Sequence, residues 1–259
     1  MKTIKCTLPQ TIKELKIEIF SDLHLGSKKC NYELIKERIE RVKNDPETYC
    51  IILGDLMNNS TKTSVGDVYE EALTPMQQIQ LAVKTFEPIK DKILGICSGN
   101  HERRSYKTDG VDLGWIFASE LGLADNYDYC ACLLFIRFGD RGSHGKHLRM
   151  CYTLYMTHGD GNGGRTVGGK ANGLQRRGSI INSDIVVTGH THAPLSFVES
   201  FFEVNYLDSA AVQKDQLFVN ASATLNYEEY AELYGMKPSA TASPVILLSC
   251  PKRVARVVM

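Results

Sequence analysis

The sequence predicts an α/β fold. Three observations point there: apolar, strand-length runs alternate with amphipathic helical stretches through the first half, the second half is rich in strands, and a short run of His, Asp or Asn closes each of five apolar runs. Polar side chains at the ends of buried strands converge on one edge of a sheet, where open α/β folds place their sites. With 259 residues, 43% of them hydrophobic, the chain can bury a full core. It shows no internal repeat, low-complexity tract or linker, so 1–259 is read as a single domain.

Residues 16–22 read as the first buried strand. From 31 to 43, Leu34, Ile35, Ile39 and Val42 recur at helical spacing behind Asn31, a fitting N-cap. A strand ending at Leu53 follows, and the polar stretch 58–67 is a loop. Thr74-Pro75 opens a helix, cap then proline, with Met76, Ile79, Val83 and Phe86 expected on its inner side. Strand 92–98 leads into Gly99-Asn100-His101-Glu102, and a helix over 113–121 closes at Gly122. Beyond it, 129–138 and 146–157 flank 139–145 as a β-hairpin. The segment from His158 to Ile181 is rich in glycine, its part 169–181 helical. Strands at 196–204, 217–221, 245–249 and 254–258 are expected to complete a second sheet.

Thirty basic and thirty acidic side chains cancel, so overall charge neither favours nor excludes a polyanionic partner. Several of the eight cysteines (Cys50, Cys97, Cys151) lie inside apolar runs, as small buried hydrophobes rather than a disulfide framework. Cys130 and Cys132 lack the second Cys or His pair that a zinc site needs. Residues 1–10 have no long apolar core and no run approaches the roughly 20 apolar residues of a membrane span. A cytoplasmic protein with no membrane association is the expectation.

The five polar runs are Asp22-Leu23-His24, Gly54-Asp55, Gly99-Asn100-His101-Glu102, His158-Gly159 and Gly189-His190-Thr191-His192. They hold five of the seven histidines. Alternate donors at a bending strand end can reach one centre, and two imidazoles two residues apart can serve neighbouring ions. Glycines before Asp55, Asn100 and His190 are expected to permit the tight junctions. Any one run alone would be an ordinary solvated loop; five in order, each after a strand, make a metal constellation.

The order of these runs resembles the calcineurin-like metallophosphoesterases over about residues 16–195. The resemblance implies a four-layer αββα sandwich of two mixed β-sheets flanked by helices, with a dinuclear centre at the strand ends. Carried over run by run, Asp22, His24, Asp55 and His192 hold one ion, and Asp55, Asn100, His158 and His190 the other, Asp55 bridging. His101 becomes the residue beside the phosphate and the general acid, with Glu102 as its orienting carboxylate and Asn100 beside it in the reacting centre. The family often has Gly-Asp-x-x-Asp, whereas Asn58 stands at the last position here. The activity implied is phosphoester hydrolysis by a hydroxide bridging two divalent cations. Imidazole and carboxylate donors suit Mn²⁺, the first expectation, as well as Zn²⁺ or Fe.

Substrate class rests on less. No arginine follows Gly54-Asp55 as in serine/threonine protein phosphatases, and His101 stands where the lipid-A-precursor hydrolases usually have arginine. Arg103, Arg104, Arg165, Lys170, Arg176 and Arg177, interleaved with glycines, are the candidate substrate-binding residues. They favour a phosphodiesterase or nuclease acting on nucleotides or nucleic acid. A phosphomonoesterase of small substrates and a non-catalytic metal-binding interaction module stay open as alternatives.

Overall fold

The computed structural model describes residues 1–61, 71–139, 150–160, 166–226, 240 and 242–259. In chain order its elements are β1 (Lys2–Leu8), β2 (Glu14–Phe20), α1 (Tyr32–Asn44), β3 (Thr48–Ile52), α2 (Pro75–Phe86), β4 (Ile93–Cys97), α3 (Glu102–Asp109), α4 (Leu113–Glu120), β5 (Tyr127–Asp128), β6 (Ala131–Phe138), β7 (Cys151–Thr157), α5 (Val167–Gly178), β8 (Ile185–Thr188), β9 (Leu195–Asn205), β10 (Ala210–Asn220), β11 (Val245–Ser249) and β12 (Val254–Val258). Among the described residues they form two six-stranded sheets, ordered β12-β11-β2-β3-β4-β5 and β1-β6-β7-β8-β10-β9. Both are mixed. In the first, β2 to β5 run parallel and β11 pairs antiparallel with both β2 and β12; in the second, β7, β8 and β10 run parallel between antiparallel partners.

The sheets pack face to face over one apolar layer that includes Leu15, Ile17, Ile51, Leu134, Leu154, Val187, Val219 and Ile246. A second layer, with Phe20, Ile52, Phe86, Ile96 and Phe117, lies between the first sheet and α1, α2 and α4. A smaller one, with Tyr155, Leu174, Val186 and Phe218, lies under α5 on the second. The fold is thus an αββα sandwich, and strands buried on both faces explain the continuous apolar runs of β2, β3, β4 and β8. The cysteines of those runs are free thiols.

Local signals place the helices. Asn31 caps α1 through a bond from Leu34 N, and Thr74 with Gln77 forms a full capping box ahead of Pro75. One buried pair ties α1 to the first sheet: Arg38 Nε meets Glu18 Oε1 at 2.6 Å, while the guanidinium also reaches the Ile19 carbonyl and lies 4.6 Å over the Phe20 ring.

Four features depart from expectation. The strand β1 was not anticipated; Ile4, Cys6 and Leu8 point inward while the residues between them face out, a half-buried edge pattern. The helix α3 was likewise missed, because ERRSYKTD has almost no apolar side. The last two strands, β11 and β12, join β2 in the first sheet rather than completing the second. On α2, Met76 is exposed, and the inward face is Gln78, Ile79, Ala82 and Phe86. Residues 62–67 of the expected loop, the hairpin connection at 140–149 and Arg165 lie outside the described residues.

Candidate metal centre

Four of the five polar runs leave the carboxyl ends of β2, β3, β4 and β8, and His158 follows β7. Three donor groups form at that edge: Asp22, His24 and His192; His24, Asp55 and His101; and Asp55, His158 and His190, each within 4.8 Å. Shared His24 and Asp55 make them one chain of donors. Asn100 joins the last group, its Oδ1 lying 3.0 Å from His158 Nε2. Every expected metal-binding residue is therefore brought to one place.

The junctions carry backbone strain in the donors themselves. Asp22, His24, Asp55, His190 and His192 all have φ between 48° and 66°, a left-handed conformation costing of order 1–3 kcal/mol each. Of the three expected glycines, only Gly54 takes a left-handed φ, +83°. The others are needed for space. A Cβ on Gly99 would stand 2.1 Å from Asp55 Oδ1, and one on Gly189 2.1 Å from Ser21 Oγ.

Hydrogen bonds fix which atom of each donor faces the centre. His158 Nδ1 donates to the Leu53 carbonyl at 2.7 Å, turning Nε2 toward Asp55 Oδ2 (3.2 Å) and His190 Nδ1 (3.1 Å). His24 Nδ1 faces Asn58 Oδ1 at 3.2 Å, so Nε2 points inward. The Asn58 amide is itself set by donating from Nδ2 to Glu71 Oε1 at 2.6 Å. Thus Asn58 supplies the acceptor that the family's more common aspartate would bring. Asp55 Oδ1 accepts from His101 N (2.8 Å), and Asp22 Oδ2 accepts from Ser21 Oγ and His190 N.

These residues fit a pair of cations. Asp22 Oδ1 and His24 Nε2 are buried with no hydrogen-bond partner among the described residues, although His192 Nε2 lies 3.1 Å from Asp22 Oδ1. Acceptors facing one another at such distances need a proton or a cation between them. The titration tendencies agree. Burial alone would lower His158, yet the Asp55 carboxylate raises it to about 9; burial lowers His24 to about 3, assisted by His101. The Asp55 carboxyl is pulled far down by His158 against its burial. Asp22, His24, Asp55 and His192 would hold one ion, and Asp55, Asn100, His158 and His190 its neighbour.

The expected catalytic and binding residues divide differently. His101 Nε2 stands 3.8 Å from Asp55 Oδ2, beside the donors. Its Nδ1 contacts both the Asn58 carbonyl and Arg104; a carbonyl can only accept, so Nδ1 carries the proton and Nε2 accepts from Arg104 NH2 at 2.8 Å. The expected orienting role of Glu102 is corrected here. Its carboxylate turns away to accept from the N–H groups of Asp55, Leu56, Met57 and Gly99, and Asn58 orients the ring instead. Arg103 binds the carbonyls of Ser98 and Tyr129, Lys170 that of Thr191, and Arg177 pairs with Asp160. Arg176 sits in the last turn of α5. No sequence signal marks Asn220, which braces the last run through Thr191 Oγ1 and the Ala193 carbonyl.

Fold and site together define a metallophosphoesterase scaffold with a candidate dinuclear His/Asp centre. The chain belongs to the calcineurin-like phosphoesterase family, which matches residues 15–194. No curated protein matches it. Among solved structures, it is similar to a conserved uncharacterized protein, a predicted phosphoesterase, from Streptococcus pneumoniae TIGR4, at 13% identity over 95% of this chain and 97% of that one (TM-score 0.35). It is also similar to Vacuolar Protein Sorting 29 from Cryptosporidium parvum, at 15% identity over 95% and 97% (TM-score 0.44). A third is the calcineurin-like phosphoesterase YfkN from Bacillus subtilis, at 12% identity over 95% and 88% (TM-score 0.37). No helix among the described residues is long and apolar enough to cross a membrane.

Proposed function

We propose that the chain is a two-metal phosphodiesterase acting on nucleotides or nucleic acid, with manganese as the first metal to try. The observation that supports hydrolysis is the convergent set of oxygen and imidazole donors, in which His24 Nε2 is buried without a hydrogen bond among the described residues and Asp22 Oδ1 faces only His192 Nε2. The two cations, when bound, supply a nucleophile from water at neutral pH and neutralise phosphate charge. The chain's own residues do the rest. Leu53 and Asn58 hold the imidazoles in place and Asp55 belongs to two of the three donor groups; His101, fixed at Nδ1 by the Asn58 carbonyl, serves as general acid in its doubly protonated form, with Nε2–H turned from Arg104 to the leaving oxygen.

Charge supports a diester. Among the described residues, Arg103, Lys170 and Arg177 are committed to protein carbonyls or to Asp160, and Arg104, beside His101, also binds the Asn58 and Asn59 carbonyls. A monoester dianion brings one more negative charge than a diester monoanion, and these contacts offer little to meet it. Metal analysis combined with turnover of bis-p-nitrophenyl phosphate and p-nitrophenyl phosphate, with added Mn²⁺, tests this. Faster diester turnover is expected. Preference for the monoester would turn the assignment to a phosphomonoesterase, and full metal loading without turnover of any phosphoester would favour a binding module.

A further inference from the structure

A pair of tyrosines is linked to the loops of the centre without supplying a donor to it. Tyr106 on α3 and Tyr129 after β5 have ring centroids 5.0 Å apart, tilted by 51°. Tyr129 is braced from another side: the Arg103 guanidinium lies 5.0 Å over its ring and also binds the Tyr129 carbonyl at 2.8 Å. Arg103 is anchored in turn on the Ser98 carbonyl, one residue before Gly99-Asn100. The next carbonyl after Tyr129, that of Cys130, accepts from Thr157 Oγ1, one residue before His158. The tyrosine pair is therefore tied to the two runs that bring Asn100 and His158 to the second ion position.

Tyr106 itself is 49% exposed on a short helix otherwise made of polar residues. An exposed tyrosine on such a helix would ordinarily move freely. Here one ring is pinned against another, which is pinned by an arginine committed to two carbonyls. The arrangement presents a braced, half-exposed ring on the helix that begins at Glu102, directly after Asn100-His101. Base–aromatic stacking is tolerant of sequence because every base has a π-face.

We propose that Tyr106, held by Tyr129 and Arg103, is the stacking platform for a base of the substrate, so that the site selects base-bearing phosphodiesters. This rests on the phosphodiesterase assignment above and extends it to substrate choice. Tyr106 makes the contact; Tyr129 and Arg103 are positioning residues.

The test uses two readouts on the full chain. The first is fluorescence of 2-aminopurine riboside 5′-monophosphate, which is quenched on stacking, with chelated and with Mn²⁺-loaded protein. The second is the ratio of kcat/KM for thymidine 5′-p-nitrophenyl phosphate to that for methyl p-nitrophenyl phosphate. Tyr106→Leu should weaken the quench-reported affinity and lower that ratio, each by at least about fivefold, the low end for one base–aromatic stack. Tyr106→Trp, which keeps a π-face, should restore both. A Tyr106→Leu protein that turns over both diesters with quench and ratio within twofold of wild type would overturn the platform and leave the phosphodiesterase assignment standing. Stacking lost in Tyr106→Leu, with no turnover of either diester by the metal-loaded wild type, would uphold the platform and overturn the hydrolysis.

Discussion

Glu102 offers the sharpest quantitative prediction. Its carboxylate is buried and meets four backbone donors: Oε2 accepts from Asp55 N at 2.9 Å and Gly99 N at 2.8 Å, Oε1 from Leu56 N at 2.7 Å and Met57 N at 3.0 Å. Burial and the neighbouring Asp55 carboxylate raise its pKa against the opposing pull of the N–H groups. Four donors on two oxygens require an acceptor-only group, hence the ionised form. Glu102→Gln keeps the shape but turns one oxygen into an NH2, which faces two N–H groups and satisfies neither. Each hydrogen bond to a charged group contributes about 1.5–3 kcal/mol, so the loss should be roughly 3–6 kcal/mol. Because those bonds hold the loop that carries Asp55, metal affinity should also fall, by about 10–100-fold as for other groups that orient metal ligands. Urea denaturation of chelated protein measures the first quantity and equilibrium dialysis with Mn²⁺ or Zn²⁺ the second. A variant within about 1 kcal/mol of wild type that still takes up metal with unchanged affinity would show that Glu102 does not position the Asp55 loop.

Other substitutions test separate parts of the molecule. Asp55→Asn should lose both equivalents of metal together, and retention of two by elemental analysis would refute the bridging assignment. Arg38→Met should destabilise by about 3–5 kcal/mol in urea, since it strands the buried Glu18 charge; a change below about 1 kcal/mol would mean that Arg41 suffices as partner. His158 is held protonated up to about 9 in the metal-free site, so metal uptake near pH 7 must displace that proton. Affinity should therefore rise with pH through 6–8, and uptake enthalpies should vary with buffer ionisation; an uptake at pH 7 that releases no proton would contradict this. His101→Ala should slow alkyl or ribose leaving groups by about 10²–10⁴-fold and p-nitrophenolate much less, with metal content preserved; equal losses would assign the ring to phosphate stabilisation instead.

The metal centre was legible in the sequence because its parts are local and dense. Each donor follows an apolar run, and order along the chain survives folding. What holds the donors was not legible. Glu102 sits next to His101 in sequence and invites pairing with it, yet as the first residue of α3 it reaches back to the β3 loop. Asn58 looked like a departure, and only its contacts show that its amide oxygen faces His24 Nδ1. The basic residues looked available because sequence records charge and not commitment; Arg103 and Lys170 end on main-chain carbonyls. The edge strand β1 and the sheet to which β11 belongs escaped for a related reason. β1 buries only three side chains, too few to stand out by composition, and the sheet membership of β11 depends on pairing with a strand some 230 residues away.

Strain and support at the centre are balanced against one another. Five donors adopt left-handed backbone, and at Gly99 and Gly189 there is no room for even a methyl group. A free loop would relax out of such conformations. These do not, because backbone bonds continue past the strand ends, from Asp22 N to the Gly54 carbonyl, His24 N to that of Asp55 and Leu25 N to that of Leu56, while Glu102 grips the other side. The loops after β2 and β3 thus act as a continuation of the sheet. Such rigidity aims buried lone pairs at a common point before any cation arrives, so little reorganisation opposes binding. Tyr106, four residues beyond Glu102 on α3, is exposed yet braced, which is the combination expected where a planar ligand must be met without an ordering cost.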